Sequence, residues 1–193
     1  MRARILLLCF VALTLAACGG SGGHTVAAGQ LSSLVLRQKD VGGAFASFYD
    51  GPQVNLDNAG TVRADPQRYG REGGWIARYH RGGSPSTRGP LVIESRVDIF
   101  KDAAGAKTDL LAYSDVLKKM PGAHLLRLTQ QIGDGAVGVT FSQASAKPLR
   151  FYRIAWRDRN VTASVILEGF DGHLGLDQAM TLALNQERLI ASR

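Results

Sequence analysis

Residues 151–157, Phe-Tyr-Arg-Ile-Ala-Trp-Arg, place Tyr152, Ile154 and Trp156 on one side and Arg153 and Arg157 on the other. An extended strand has this period of two; a helix does not. Asp158-Arg159-Asn160 are turn formers, and Val161, Ala163, Val165 and Leu167 then return along the apolar side. Strands joined by so short a connection pair antiparallel, since parallel neighbours need a long crossover. The pattern occurs twice. Trp75, Ala77 and Tyr79 alternate with Ile76, Arg78 and His80, and after the turn-rich stretch 81–90, Leu91, Ile93, Val97 and Ile99 alternate with Glu94, Arg96 and Asp98. Each hairpin therefore has one apolar and one charged face.

Helical spacing fills the gaps between these hairpins. Asp102 predicts an N-cap for a helix in which Ala103, Ala106, Leu110, Tyr113 and Leu117 recur every three or four residues until Met120-Pro121-Gly122 ends it. A second stripe, Leu176, Ala179, Met180, Ala183, Leu184, Glu187 and Ile190, is interrupted by one charge, so that helix caps the core near its end. Leu31, Leu34 and Val35 predict a short helix over 30–39. The segment 50–74 has no sustained period and several turn formers, so it reads as a long loop, with the length of a functional or mobile one. Leu125 to Ile132 could be a strand, Gly133-Asp134-Gly135 a turn, and Ala136 to Ser142 a strand. The expected fold class is α+β: one curved antiparallel sheet of five or six strands, two long helices on its apolar face, and a short N-terminal helix.

The first 17 residues are set apart. Arg2 and Arg4 precede an apolar run, Ile5 to Leu15, that is shorter than the roughly 20 residues of a membrane span. Leu15-Ala16-Ala17-Cys18 puts a bulky leucine where ordinary signal cleavage takes a small residue, and resembles the bacterial lipobox instead. The resemblance implies that 1–17 is a lipoprotein signal peptide and that Cys18 becomes a mature N-terminus carrying diacylglycerol on its sulfur and a further acyl chain, such as palmitate, on its amine. Each buried methylene contributes about 0.8 kcal/mol, so two or more chains hold where one does not. Cys9 is lost with the leader, leaving no thiol for a disulfide, a cysteine metal cluster or a cysteine nucleophile. Residues 18–29 are glycine-rich and read as a flexible tether spanning roughly 20 Å, followed by a single domain from Gln30 to Arg193.

A second resemblance rests on Ile132-Gly133-Asp134, on Trp156-Arg157-Asp158-Arg159-Asn160-Val161, and on the closing Leu182-Ala183-Leu184-Asn185-Gln186-Glu187-Arg188-Leu189-Ile190. Together these resemble a loose pattern in uncharacterised actinobacterial lipoproteins, a Gly-Asp turn, an aromatic-Arg strand and a terminal helix, and cover about residues 75–193. The resemblance implies an exported α+β domain similar to the Mog1/PsbP-like sandwich, a binding and accessory scaffold with no implied catalytic residue.

Several motifs match chemistry by letter only. Gly133-x-Gly135-x-x-Gly138 spells a dinucleotide fingerprint, yet Val137 to Phe141 reads as a strand where that motif needs a helix. Gly19-x-Ser21-x-Gly23 spells a nucleophile elbow inside a tether that cannot project a serine. His24, His80, His124 and His173 show no metal-ligand spacing, and no metal or cofactor is expected. Asp171-Gly172-His173 could orient an imidazole or merely turn the chain before a helix. The charged sheet face offers Arg78, Arg96, Arg153 and Arg157 as candidate receptors for carboxylate or phosphate, with Glu94 and Asp98 as internal competitors. Net charge is +7, and six arginines between Arg63 and Arg88 face only Asp65 and Glu72. Outside the cytoplasm such a stretch meets anionic lipid or wall polymer rather than nucleic acid, or is simply solvated. The expectation is a noncatalytic, membrane-anchored envelope lipoprotein that binds an unidentified protein or small ligand. The alternative is a carrier of lipid or another hydrophobic ligand in a cavity between sheet and helices.

Overall fold

The computed structural model describes residues 25–53 and 66–193. The stretch read as a leader, Cys18, Ser21, His24 and most of the stretch read as a tether lie outside the described residues, as does 54–65 within the 50–74 segment. Strands β1 (Ala46–Pro52), β2 (Arg71–His80), β3 (Val92–Phe100), β4 (His124–Leu125), β5 (Gly135–Gln143), β6 (Leu149–Asp158) and β7 (Val161–Phe170) form one antiparallel sheet in the order β1-β2-β3-β7-β6-β5-β4. Among the described residues, helices α1 (Gln38–Val41), α2 (Ala103–Lys119) and α3 (Leu176–Ala191) complete the elements, with short 3-10 turns at Ala28–Ser33 and Pro66–Tyr69.

The two expected hairpins form: Arg78 opposes Glu94 and Trp75 opposes Val97, and Trp156 opposes Ala163 across the tight Arg159-Asn160 turn. α2 then carries the chain from β3 across the sheet to the far edge at β4, and β5, β6 and β7 step back so that β7 closes against β3. Asp102 caps α2, accepting the Gly105 N–H at 2.8 Å, and the helix ends at Met120 as its Pro-Gly sequence requires.

Seven strands replace the expected five or six. The added edge strand β1 lies partly in the stretch read as loop, because its exposed residues, its Gly51-Pro52 and a bulge at Phe48 hide the alternation. Of the stretch 125–132, only Leu125 is in a strand, paired with Val139. The single short helix expected over 30–39 is split into the 3-10 turn Ala28–Ser33 and α1 (Gln38–Val41), with a non-helical stretch between them. Leu34, Val35 and Leu36 are instead consecutive and fully buried, which no amphipathic helix face permits. Leu36 donates to Ser95 Oγ at 3.0 Å and accepts from the Tyr79 hydroxyl at 2.9 Å. The packed chain reaches back to Val26, ahead of the Gln30 boundary read from composition. Val26 is buried and exchanges hydrogen bonds of 2.8 and 3.0 Å with the Asn160 amide.

The larger correction concerns α2. α3 packs its Ala179, Met180, Ala183 and Ile190 against the apolar face of Val97, Ile154, Trp156, Ala163 and Val165. α2 packs Tyr113 and Leu117 against Val139 and Ala155, whose side chains alternate with those and point the other way. The two long helices therefore lie on opposite faces. α2 tolerates the charged face because its own inward stripe is partly polar: Asp109 accepts the Thr162 hydroxyl at 2.8 Å, with both residues buried. The central strands β3 and β7 are covered on both sides, and Ser95, Asp98, Thr162 and Ser164 are buried.

Candidate functional site

The face under α2 is only partly covered. α2 shelters Arg96, Asp98, Thr162, Ser164 and Ala155, enclosing about 10 Å³, room for a single water. Beyond the helix a second part of the same face stays open across the sheet. In register it runs Tyr49, Arg78, Glu94, Ile166 and Arg153 and ends at Val139, which α2 covers, with His80, Val92, Glu168, Phe151 and Phe141 in the row alongside.

All four sequence-predicted arginines share this face, because positions 78, 96, 153 and 157 obey the alternation of β2, β3 and β6. The structure gives them different surroundings. Arg78 Nε donates to Glu94 Oε2 at 2.6 Å and Arg96 Nε to Glu94 Oε1, so one carboxylate is gripped from both sides. Asp98, the other expected competitor, is held by Arg71 at 2.5 Å with both side chains almost fully buried. Arg157 lies four residues along β6 from Arg153, roughly 13 Å away, and pairs with Asp134 at 2.9 Å. Arg153 forms no ion pair among the described residues, and its Nε is buried without a hydrogen-bond partner.

Aromatic residues frame the open face. The bulge in β1 interrupts alternation at Phe48, so Phe48 and Tyr49 both reach the side of Arg78 and His80. The Phe48 ring lies 5.2 Å from the His80 ring, and the Arg78 guanidinium stands 6.0 Å over Tyr49. Phe48 and Tyr49 are 51% and 40% exposed. At the other end Phe141 and Phe151 stack 4.7 Å apart and nearly parallel. Sequence reasoning passed over both aromatic groups. The Phe-Tyr doublet in Ala46–Pro52 was their one legible signal, and the Phe141–Phe151 pair depends on the β5–β6 register. Glu168 lies opposite Phe151, and burial raises its carboxyl above the usual range.

The remaining letter matches resolve into structure. Gly133 has φ +52°, and a Cβ there would overlap the Arg157 carbonyl; the glycine makes a turn into β5, not the start of a helix. Asp171 does not orient His173. Its carboxylate is taken by Arg150 at 2.9 Å and by the Ser142 hydroxyl, and the Arg150 hydrogen bond holds it below the usual range. No group of three His, Cys, Asp or Glu among the described residues stands close enough to hold a metal. At the end of the sheet where β2 begins, an open cleft of about 500 Å³ is lined by Leu31, Pro52, Gln53, Arg71 and Trp75. No helix among the described residues is long and apolar enough to cross a membrane.

No protein-family model and no curated protein matches this chain. Among solved structures it is similar to the extracellular domain of PknH from Mycobacterium tuberculosis, with a TM-score of 0.68 and 14% identity. The likeness covers 89% of this chain and 100% of that one, and is a likeness of fold.

Proposed function

We propose that this chain is a lipid-anchored, extracytoplasmic and noncatalytic binding module of the cell envelope, with the open part of the α2-side sheet face as its contact surface. The observation that carries the reading is a sheet face left half uncovered, with exposed aromatics at one edge, a stacked pair at the other and arginines between. Tyr, Phe and Arg are the residues in which contact surfaces are enriched, and depth of burial, not charge alone, sets their worth. Two further points support it. The Leu15-Ala16-Ala17-Cys18 lipobox ends a charged-then-apolar leader, and the fold is similar to a domain described as extracellular. The Mog1/PsbP-like resemblance remains part of this proposal.

The carrier alternative needs an enclosed apolar cavity. The enclosed space beneath α2 is about 10 Å³, and the other face is filled by Trp156, Val97, Ile154 and Met180. A packed core favours a surface contact over an internal ligand.

Two measurements test the reading. Labelled palmitate should enter the protein expressed in a bacterium that processes lipoproteins, and Cys18→Ser should abolish the label and move the protein out of the membrane fraction. Normal processing and membrane retention of Cys18→Ser would refute the anchor. Crosslinking from a photoreactive residue placed at Phe48 or Tyr49 should capture envelope material that the same probe at Arg188, on the exposed side of α3, does not. Equal capture from both positions would refute the contact surface.

A further inference from the structure

Of the arginines that reach the α2-side face, Arg153 differs from the rest. Arg71 holds Asp98, Arg78 and Arg96 hold Glu94, and Arg157 holds Asp134. Arg153 holds no carboxylate among the described residues, and its Nε is shut off from solvent with no acceptor. Burying a donor without a partner is costly, and such a donor in a folded protein calls for an explanation.

No side chain beside Arg153 in the sheet takes a hydrogen bond from it. Val139 and Ile166 flank Arg153 in register and offer no side-chain acceptor. Glu94 lies beyond Ile166 and is already gripped by two guanidinium groups. Glu168, diagonal to Arg153 across β6 and β7, forms no ion pair with it, and burial alone raises its carboxyl. Next to Arg153 the face turns apolar: Phe151, two residues earlier on β6, stacks on Phe141 with 4° between the ring planes.

We propose that Arg153 is the anion-receiving residue of this face, accepting a carboxylate or phosphate oxygen of a ligand whose adjoining apolar part rests on the Phe141–Phe151 pair. The proposal rests on the binding-module reading and names the chemistry of its ligand. A guanidinium meets an oxyanion through two parallel hydrogen bonds, a geometry that lysine cannot reproduce. The buried Nε is closed to a ligand, so the oxyanion meets the terminal nitrogens of Arg153, which hold no carboxylate among the described residues; Arg78, Arg96 and Arg157 each already give a nitrogen to a carboxylate of the chain.

The test is a nuclear magnetic resonance titration of the leaderless chain, Cys18 to Arg193, with nitrogen-15 label. Loss of one side-chain signal in Arg153→Gln assigns the Arg153 Nε–H resonance. Sodium benzoate, inorganic phosphate and sodium chloride of matched ionic strength serve as probes. Benzoate should shift the Arg153 Nε–H and the Phe151 amide together and saturably, with chloride inert. A saturable phosphate shift at Arg153 that spares Phe151 would support the anion site and assign its source to phosphate. Arg153→Gln should weaken benzoate binding about tenfold or more, and Arg153→Lys should recover only part of it. If Arg153→Gln does not fold, Arg153→Lys supplies the assignment and the wild-type titration decides. No saturable shift of Arg153 with either oxyanion up to about 50 mM, beyond the range of millimolar binding, overturns the proposal. Saturable shifts confined to Tyr49 and Arg78 overturn it while leaving the contact face standing. No saturable shift anywhere on the face overturns it, and loss of the Tyr49 crosslink as well overturns the face.

Discussion

Glu187 keeps its proton to higher pH than a free carboxylic acid. Burial on the sheet side of α3 raises it from 4.5 to about 7, although the Trp156 indole N–H, donating to Oε2 at 2.6 Å, opposes the rise. The folded state therefore binds more protons than the unfolded state between those values, and the sign follows. Stability from this group is full below the unfolded value and is lost as pH rises through about 7. Glu187→Gln should flatten that slope, and at pH 8 should unfold at a higher temperature than wild type by the equivalent of about 1 kcal/mol, after discounting for solvent screening. A slope unchanged in the variant would contradict this. Asn160 is the other residue with an outsized part. Its buried amide bonds Val26 on both its N–H and C=O and also donates to the Phe100 carbonyl at 2.9 Å. Asn160→Ala should cost about 3 kcal/mol in denaturant unfolding, because backbone groups lose their partners in a dry site. Protection of the Val26 amide from hydrogen exchange should fall with it.

At the scale of elements, α2 shows how a polar stripe selects a polar surface. Its sheet-facing residues include Asp109 and Ser114 beside Ala106, Tyr113 and Leu117. Asp109 and Thr162 share one buried hydrogen bond. Asp109→Ala should cost about 2 kcal/mol, and a double-mutant cycle with Thr162→Val should recover a coupling of about 1 kcal/mol. Additive effects would mean that the helix is seated by Tyr113 and Leu117 alone. The helices themselves were legible: Asp102, the stripe and Met120-Pro121-Gly122 fix the boundaries of α2 by local chemistry. Its face was not legible, because an alternation of apolar and charged residues in β3 says which residues go together and is silent on what covers each set. The arginines were legible as a group for the same reason, whereas the distinction between Arg78, held by Glu94, and Arg153, which holds no carboxylate among the described residues, depends on strands far apart in sequence.

At the scale of the molecule, the N-terminal segment is part of the core as well as a connection to it. Val26, Leu34, Val35 and Leu36 are buried, and Leu36 meets Ser95, whose hydroxyl donates to Gln186 of α3 at 2.8 Å. Gln186 in turn donates to the Arg96 carbonyl at 2.8 Å. A chain beginning at Gln30 should thus melt roughly 10 °C below one beginning at Thr25, from the lost burial of Val26 and its two hydrogen bonds. Equal melting temperatures would show that segment to be dispensable.

The sequence by itself determined the β2–β3 and β6–β7 hairpins, the ends of α2 and α3, and the common face of Arg78, Arg96, Arg153 and Arg157. Periodicity, caps and turns act within a few residues, so a reader of the chain sees what the chain itself feels. Tertiary structure alone decided that α2 crosses to the charged face, that β1 extends the sheet, and that Arg153 is left without a carboxylate among the described residues. Those outcomes depend on surfaces meeting across long separations, where burial and partner supply outweigh local preference.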